Sequence, residues 1–135
     1  MRSSKKRVIQ AKDLAPPIAP YSAGVLAQGL AFVAQGPIRP GVLEISGTTI
    51  EEQARQTLSN IQAVLEKVDA RLEDVVKVTV YLADMEHYDR FNQIYRDYFG
   101  DSDLPSRIVV EVQRLPHDLL IEIEAVAVVD QGQAH

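Results

Sequence analysis

Pro105-Ser106-Arg107-Ile108-Val109-Val110-Glu111-Val112-Gln113-Arg114-Leu115-Pro116-His117-Asp118-Leu119-Leu120-Ile121-Glu122-Ile123-Glu124-Ala125 is the stretch whose reading decides the fold. At a period of two, Ile108, Val110 and Val112 point to one side and Arg107, Val109, Glu111 and Gln113 to the other, the alternation of a strand with one polar face. After a turn at Leu115 to Asp118, an apolar row of Leu119, Ile121, Ile123, Ala125 and Ala127 opposes a row of Leu120, Glu122, Glu124, Val126 and Val128. Read locally, the two segments form a hairpin that gathers Arg107 and several carboxylates near one face of a sheet. Val109, Val126 and Val128 share that face, so it is expected to be half-buried, and charges there cost free energy unless they are paired or used.

The chain has 135 residues, enough for one domain that buries roughly two thirds of its unfolded surface. A single domain over 1–135 is expected, with 1–6 and 130–135 as flexible tails. No cysteine is present, which excludes disulfides, thiol nucleophiles and cysteine-held metal and is compatible with a reducing cytoplasm. A net charge of −5 argues against a nucleic-acid partner, which requires a clustered basic face. The one basic cluster, Arg2, Lys5, Lys6 and Arg7, reads as a solvated tail entering the first strand. No apolar run has the length of a membrane span. His87, His117 and His135 lack metal-ligand spacing, and no metal site is expected.

Residues 7–10 read as a short strand, followed by a proline-rich arm from Ala15 to Tyr21 in which Ile18 and Tyr21 are expected to find burial. Gln28-Gly29 between two apolar segments signals a hairpin, and Gln35 to Gly41 is loop. Thr49 stands three residues before Glu52 as in a capping box. Ile50, Ala54, Leu58, Ile61, Leu65 and Val68 then recur at helical steps, with Arg55, Asn60 and Gln62 assigned to the polar side. Val76, Val78, Val80 and Leu82 alternate with Lys77, Thr79 and Tyr81 as a strand. A second helix follows Asp84, with Tyr88, Phe91, Ile94, Tyr95, Tyr98 and Phe99 as a core stripe and Gly100 as its stop. Asn92 is either a surface residue or a bridge from helix to strand. The order strand, strand, strand, helix, strand, helix, strand, strand implies an α/β domain with two helices on one face of a mixed sheet. The other, partly apolar face then calls for self-association.

A half-buried arginine is a ready bidentate receptor for a carboxylate, since its planar fork matches the two oxygens and stays charged. A nearby glutamate can take a proton from water or hold that water against an electrophile. Arg107 and Glu122 therefore suggest hydrolysis or proton transfer on a small carboxylic acid. The plainer alternative pairs Arg107 with Glu111 or Glu124 and merely ties the hairpin together. Tyr21 is either a site residue or ordinary packing. Glycine-rich phosphate loops, nucleophile elbows and paired histidines are missing from the sequence.

Pro20-Tyr21-Ser22, Phe32-Val33-Ala34, Glu52 to Leu58, Asp74 to Leu82, Asn92 to Tyr95 with Phe99, Pro105-Ser106-Arg107, Arg114-Leu115-Pro116 and Ile121 to Ala125 together resemble the RidA (YjgF-type) family of reactive imine deaminases. The likeness covers about residues 7–129. It implies a chorismate-mutase-like fold and a homotrimer whose sheets form a central barrel with clefts between subunits. The implied activity is hydrolysis of enamines and imines such as 2-aminoacrylate and 2-iminobutanoate to 2-keto acids and ammonia, without a cofactor. By the same resemblance Arg107 grips the substrate carboxylate, Glu122 positions the attacking water, and Tyr21 lines the cleft with Ala34, Gln35, Gly36 and Val109. The departures are Ala34-Gln35-Gly36 for a common Ser-Gly-Gln, Ile108 and Val109 after the arginine, and Asp69 for a usual glycine; they bear on the cleft wall. Two further readings are a non-catalytic trimer that binds small carboxylates and an endoribonuclease, which fits poorly with the acidic charge. A simple hairpin register puts Glu122 nearer Glu111 than Arg107, so the convergence of the pair is left open.

Overall fold

The computed structural model of the chain describes residues 5–14 and 17–129; the terminal segments 1–4 and 130–135, expected to be tails, lie outside the described residues. Strands β1 (Arg7–Val8), β2 (Gly24–Ala27) and β3 (Leu30–Gln35) precede helix α1 (Ile50–Glu66). They are followed by β4 (Val75–Leu82), α2 (Tyr88–Phe99), β5 (Ser106–Glu111) and β6 (Ile121–Val128), in the predicted order of elements. The β2–β3 hairpin turns on Gln28 (φ 52°) and Gly29 (φ 76°), and positive φ at both central residues matches the twist of paired strands.

Helix α1 begins with the predicted capping box: Thr49 Oγ1 accepts the Glu52 N–H at 3.2 Å, and Glu52 Oε1 accepts the Thr49 N–H at 3.2 Å. It ends in a Schellman arrangement, with the Ala70 N–H reaching the Leu65 carbonyl (3.0 Å) and Asp69 left-handed at φ 56°. Asp69 thus occupies the backbone position where glycine carries no steric penalty. Helix α2 ends at Gly100, φ 77°.

The sheet order β1-β2-β3-β6-β4-β5 corrects the hairpin expected from residues 105–129. Strand β5 pairs in parallel with β4, and β6 is antiparallel to both β3 and β4. Strand β4 therefore lies between the two segments that the local pattern joins. Alternation reports which face a residue takes, and it is silent about which strand is the neighbour.

One sheet face, with Ala31, Val33, Val78, Val80, Ile121, Ile123, Ala125 and Ala127, packs with the apolar sides of both helices into a single core. Val76 departs from its expected inward row. A bulge between Val75 and Lys77 puts Val75 inside and leaves Val76 47% exposed, because the extra residue shifts the alternation by one. The second sheet face carries Phe32, Ile108 and Val128 exposed, beside Lys77, Thr79, Tyr81 and Glu124. Among the described residues no helix is long and apolar enough to cross a membrane.

Replacing Asp69 by glycine removes a left-handed aspartate and is expected to stabilise the fold by about 0.5–1 kcal/mol, raising Tm by roughly 2–4 °C. Asp69→Ala, which keeps a Cβ at that φ, is expected to lower it; paired thermal melts check both.

Candidate functional site

A cavity of about 410 Å³ opens between the end of β3, the proline-rich arm and the turn before β6, lined by Tyr21, Ala34, Gln35, Gly36, His117 and Glu122 among others. Ile18 and Tyr21, expected to be packed away, are instead 45% and 54% exposed in the single chain, and both face this cavity. The walls are set from inside the domain by a buried polar row on α1. Asn60, assigned by pattern to the polar side, is buried, and its Nδ2 donates to the carbonyls of Gly36 (3.0 Å) and Ile38 (2.7 Å). Gln53 Nε2 donates to the Gly47 carbonyl (3.2 Å), and Gln53 Oε1 accepts the Leu120 N–H (2.9 Å). Buried amides paired in this way hold two loops to one helix, since leaving either partner unmet costs about 1–3 kcal/mol.

Glu122 projects from β6 onto the sheet face away from the helices, and nothing among the described residues donates to its carboxylate. Burial alone pushes its carboxyl above the usual range. Its neighbour Glu124 is already engaged: Tyr81 Oη donates to Glu124 Oε1 at 2.7 Å, which raises the phenol in turn.

Arg107 lies on the opposite face. In the β4–β5 register it stands beside Val78, on the helix side, while Glu122 stands beside Tyr81, on the open side. Its guanidinium packs 4.6 Å from the Tyr95 ring centre, 5.6 Å from Phe91 and 5.8 Å from Tyr88, and donates to Tyr88 Oη at 3.2 Å. No carboxylate reaches it among the described residues. Glu111, one expected partner, accepts the Met85 N–H (2.7 Å), and Glu124, the other, is held by Tyr81. The aromatic faces therefore orient the cation without neutralising it. Beneath it, Tyr95 is 5% exposed and its hydroxyl, raised to about 12 chiefly by burial, meets no partner among the described residues. Asn92 is neither a plain surface residue nor a bridge: it is half-buried, and its Oδ1 is enclosed and meets no donor among the described residues.

Of the residues singled out from sequence, Tyr21, Ala34, Gln35, Gly36 and Glu122 share one cavity, while Arg107 and Val109 sit together on β5 across the sheet. A single chain does not bring the arginine and the glutamate together.

The family profile described as endoribonuclease L-PSP matches residues 12–129. The chain belongs to this family. A RutC family protein of Pyrococcus horikoshii is 49% identical over 123 residues, covering 90% of this chain and 97% of its own. The solved structure of the Rid-family protein YyfA from Yersinia pestis superposes with a TM-score of 0.87 at 37% identity, covering 92% of this chain and 99% of that one. TdcF of Escherichia coli, named as a candidate reactive intermediate deaminase, is 32% identical over 126 residues (91% of this chain, 97% of its own). The structure of TdcF with bound serine superposes with a TM-score of 0.83, covering 90% and 98% of the two chains. The Rid resemblance seen in the sequence is thus a family relationship, and the family includes reactive intermediate deaminases.

For this Rid-family chain, sequence reading missed Asn60 and Gln53, whose polar type at buried helical positions was the available signal. It also missed Tyr88, whose hydroxyl lies on a stripe read as core alone.

Glu122→Gln is expected to raise Tm at pH 7–8. A carboxyl raised in the folded state stabilises only while protonated, and that contribution is lost as pH rises through its folded pKa. The gain is expected to vanish below the unfolded value of about 4.3, which melts recorded from pH 4 to 8 check.

Proposed function

We propose that this protein hydrolyses small 2-imino acids and their enamines, such as 2-iminobutanoate and 2-aminoacrylate, to 2-keto acids and ammonia, at a site built by two copies of the chain. The observation that carries the reading is Arg107: a guanidinium held by three aromatic rings, one of which, Tyr88, also accepts its hydrogen bond, with no carboxylate reaching it among the described residues. Such a group is a receptor for an external carboxylate. A carboxyl lacking donors waits in a separate cavity, so the two are complementary halves. TdcF, a relative captured with an amino acid, fits a ligand that has a carboxylate beside a nitrogen-bearing carbon.

In this reading Arg107 of one copy fixes the substrate carboxylate over the Tyr21–Glu122 cavity of its neighbour. Glu122 takes a proton from a water molecule as the water oxygen bonds to C2 of the imine. The protonated imine nitrogen becomes an amine and takes that proton from Glu122; the C–N bond then breaks as the hydroxyl proton returns to the Glu122 carboxylate, releasing ammonia and the 2-keto acid. An enamine first gains a proton at C3 from the same carboxyl. Burial of Glu122 favours the protonated form and suits it to both giving and taking a proton. An iminium carbon is already electrophilic, so orientation and a proton path are the main demands. Assembly as a ring of three copies, sheets inward, covers the face that leaves Phe32 44%, Ile108 56% and Val128 49% exposed. Nucleic-acid cleavage is supported least, since the chain carries a net charge of −5.

The test is competition with semicarbazide for 2-iminobutanoate made by a threonine dehydratase. Wild type is expected to divert the imine to the keto acid, and Arg107→Ala to lose about 100-fold, the order of one charge-paired contact. Arg107→Ala and Glu122→Ala, each strongly impaired alone, are expected to restore part of the rate when unfolded and refolded together. No restoration would sink the two-copy site, and ligand binding without turnover would favour a carboxylate-binding protein.

A further inference from the structure

We infer that His117 reads the far end of the substrate, so that this chain prefers 2-imino acids whose side chain ends in a hydrogen-bond acceptor over those of equal size ending in methyl groups. The inference rests on the deaminase reading and names the substrate class within it.

Space comes first. A cavity of about 150 Å³ accommodates a six-heavy-atom ligand, which is the size of a three-carbon imino acid, whereas the cavity beside Glu122 is about 410 Å³. A short imine fills less than half of that volume in the single chain. Pro17, Ile18, Ala19, Ile38, Pro116 and Leu119 give the walls an apolar character suited to a longer side chain.

His117 enters from a different wall than Glu122, on the turn between β5 and β6. It and Asp118 are successive left-handed residues, φ 56° and 57°, a conformation disfavoured for side chains with a Cβ. The turn is held in this shape from both sides. Arg114 Nε donates to Asp118 Oδ1 at 2.7 Å and Arg114 Nη2 to Asp118 Oδ2 at 3.3 Å, while the Asp118 and Leu119 N–H groups close on Leu115 and Pro116 carbonyls at 3.1 and 3.2 Å. The clamp spends Asp118 on the turn itself, and His117 remains among the residues that line the cavity. A neutral imidazole always offers one N–H, and an acceptor on the substrate would meet it among apolar walls, where a hydrogen bond discriminates most.

The experiment generates imines of leucine and glutamine, similar in size and different in polarity, with an L-amino-acid oxidase and follows them by semicarbazide competition. For wild type, kcat/KM for the glutamine imine is expected to exceed that for the leucine imine by about fivefold, the order of one neutral hydrogen bond. His117→Gly, which suits the left-handed backbone and keeps the turn, is expected to bring the ratio to about one, and His117→Asn, which keeps a side-chain N–H, to restore part of it. A ratio equal in wild type and His117→Gly overturns the role of His117 while the deaminase reading stands. Failure of wild type to accelerate any imine overturns both.

Discussion

The parallel pairing of β4 with β5 is the constraint on which the site depends. Because a parallel neighbour requires a crossover, α2 is spent in returning the chain to the sheet edge, and β6 must insert between β3 and β4 instead of folding back on β5. Strand β4 thereby separates Arg107 from Glu122, and the registers on its two sides put them on opposite faces. In the proposed reading, one chain then holds two halves of a site and a second copy is needed to join them. The same arrangement leaves a sheet face carrying Phe32, Ile108 and Val128 with no helix over it. An incomplete site and an uncovered face are two consequences of one strand order, and both point to other copies of the chain.

Each half is prepared in a different way. On the glutamate side, buried amides do the positioning: Asn60 and Gln53 reach from α1 to the backbone at Gly36, Ile38, Gly47 and Leu120, fixing the loop and strand end that frame the cavity. On the arginine side, ring faces do it. Tyr88, Phe91 and Tyr95 surround the guanidinium, and the carboxylates of Glu111 and Glu124 are engaged elsewhere, with Met85 and Tyr81. A salt bridge would have anchored Arg107 equally well but would have occupied the donors that an external carboxylate needs.

The features legible along the chain were local ones. Capping at Thr49, the Gln28-Gly29 turn, the two amphipathic helices and the apolar rows of β4 and β6 were legible, because side-chain periodicity and turn chemistry are properties of neighbouring residues. The matched motifs also placed the chain in the Rid family. The tertiary structure decided which strands are partners, that Val76 faces out past a bulge, that Asn60 is buried to hold a loop, and that Arg107 and Val109 belong to one face and Glu122 to the other. Alternation encodes inside and outside, while strand order is chosen by how the whole set of apolar surfaces packs, and no single segment carries that information.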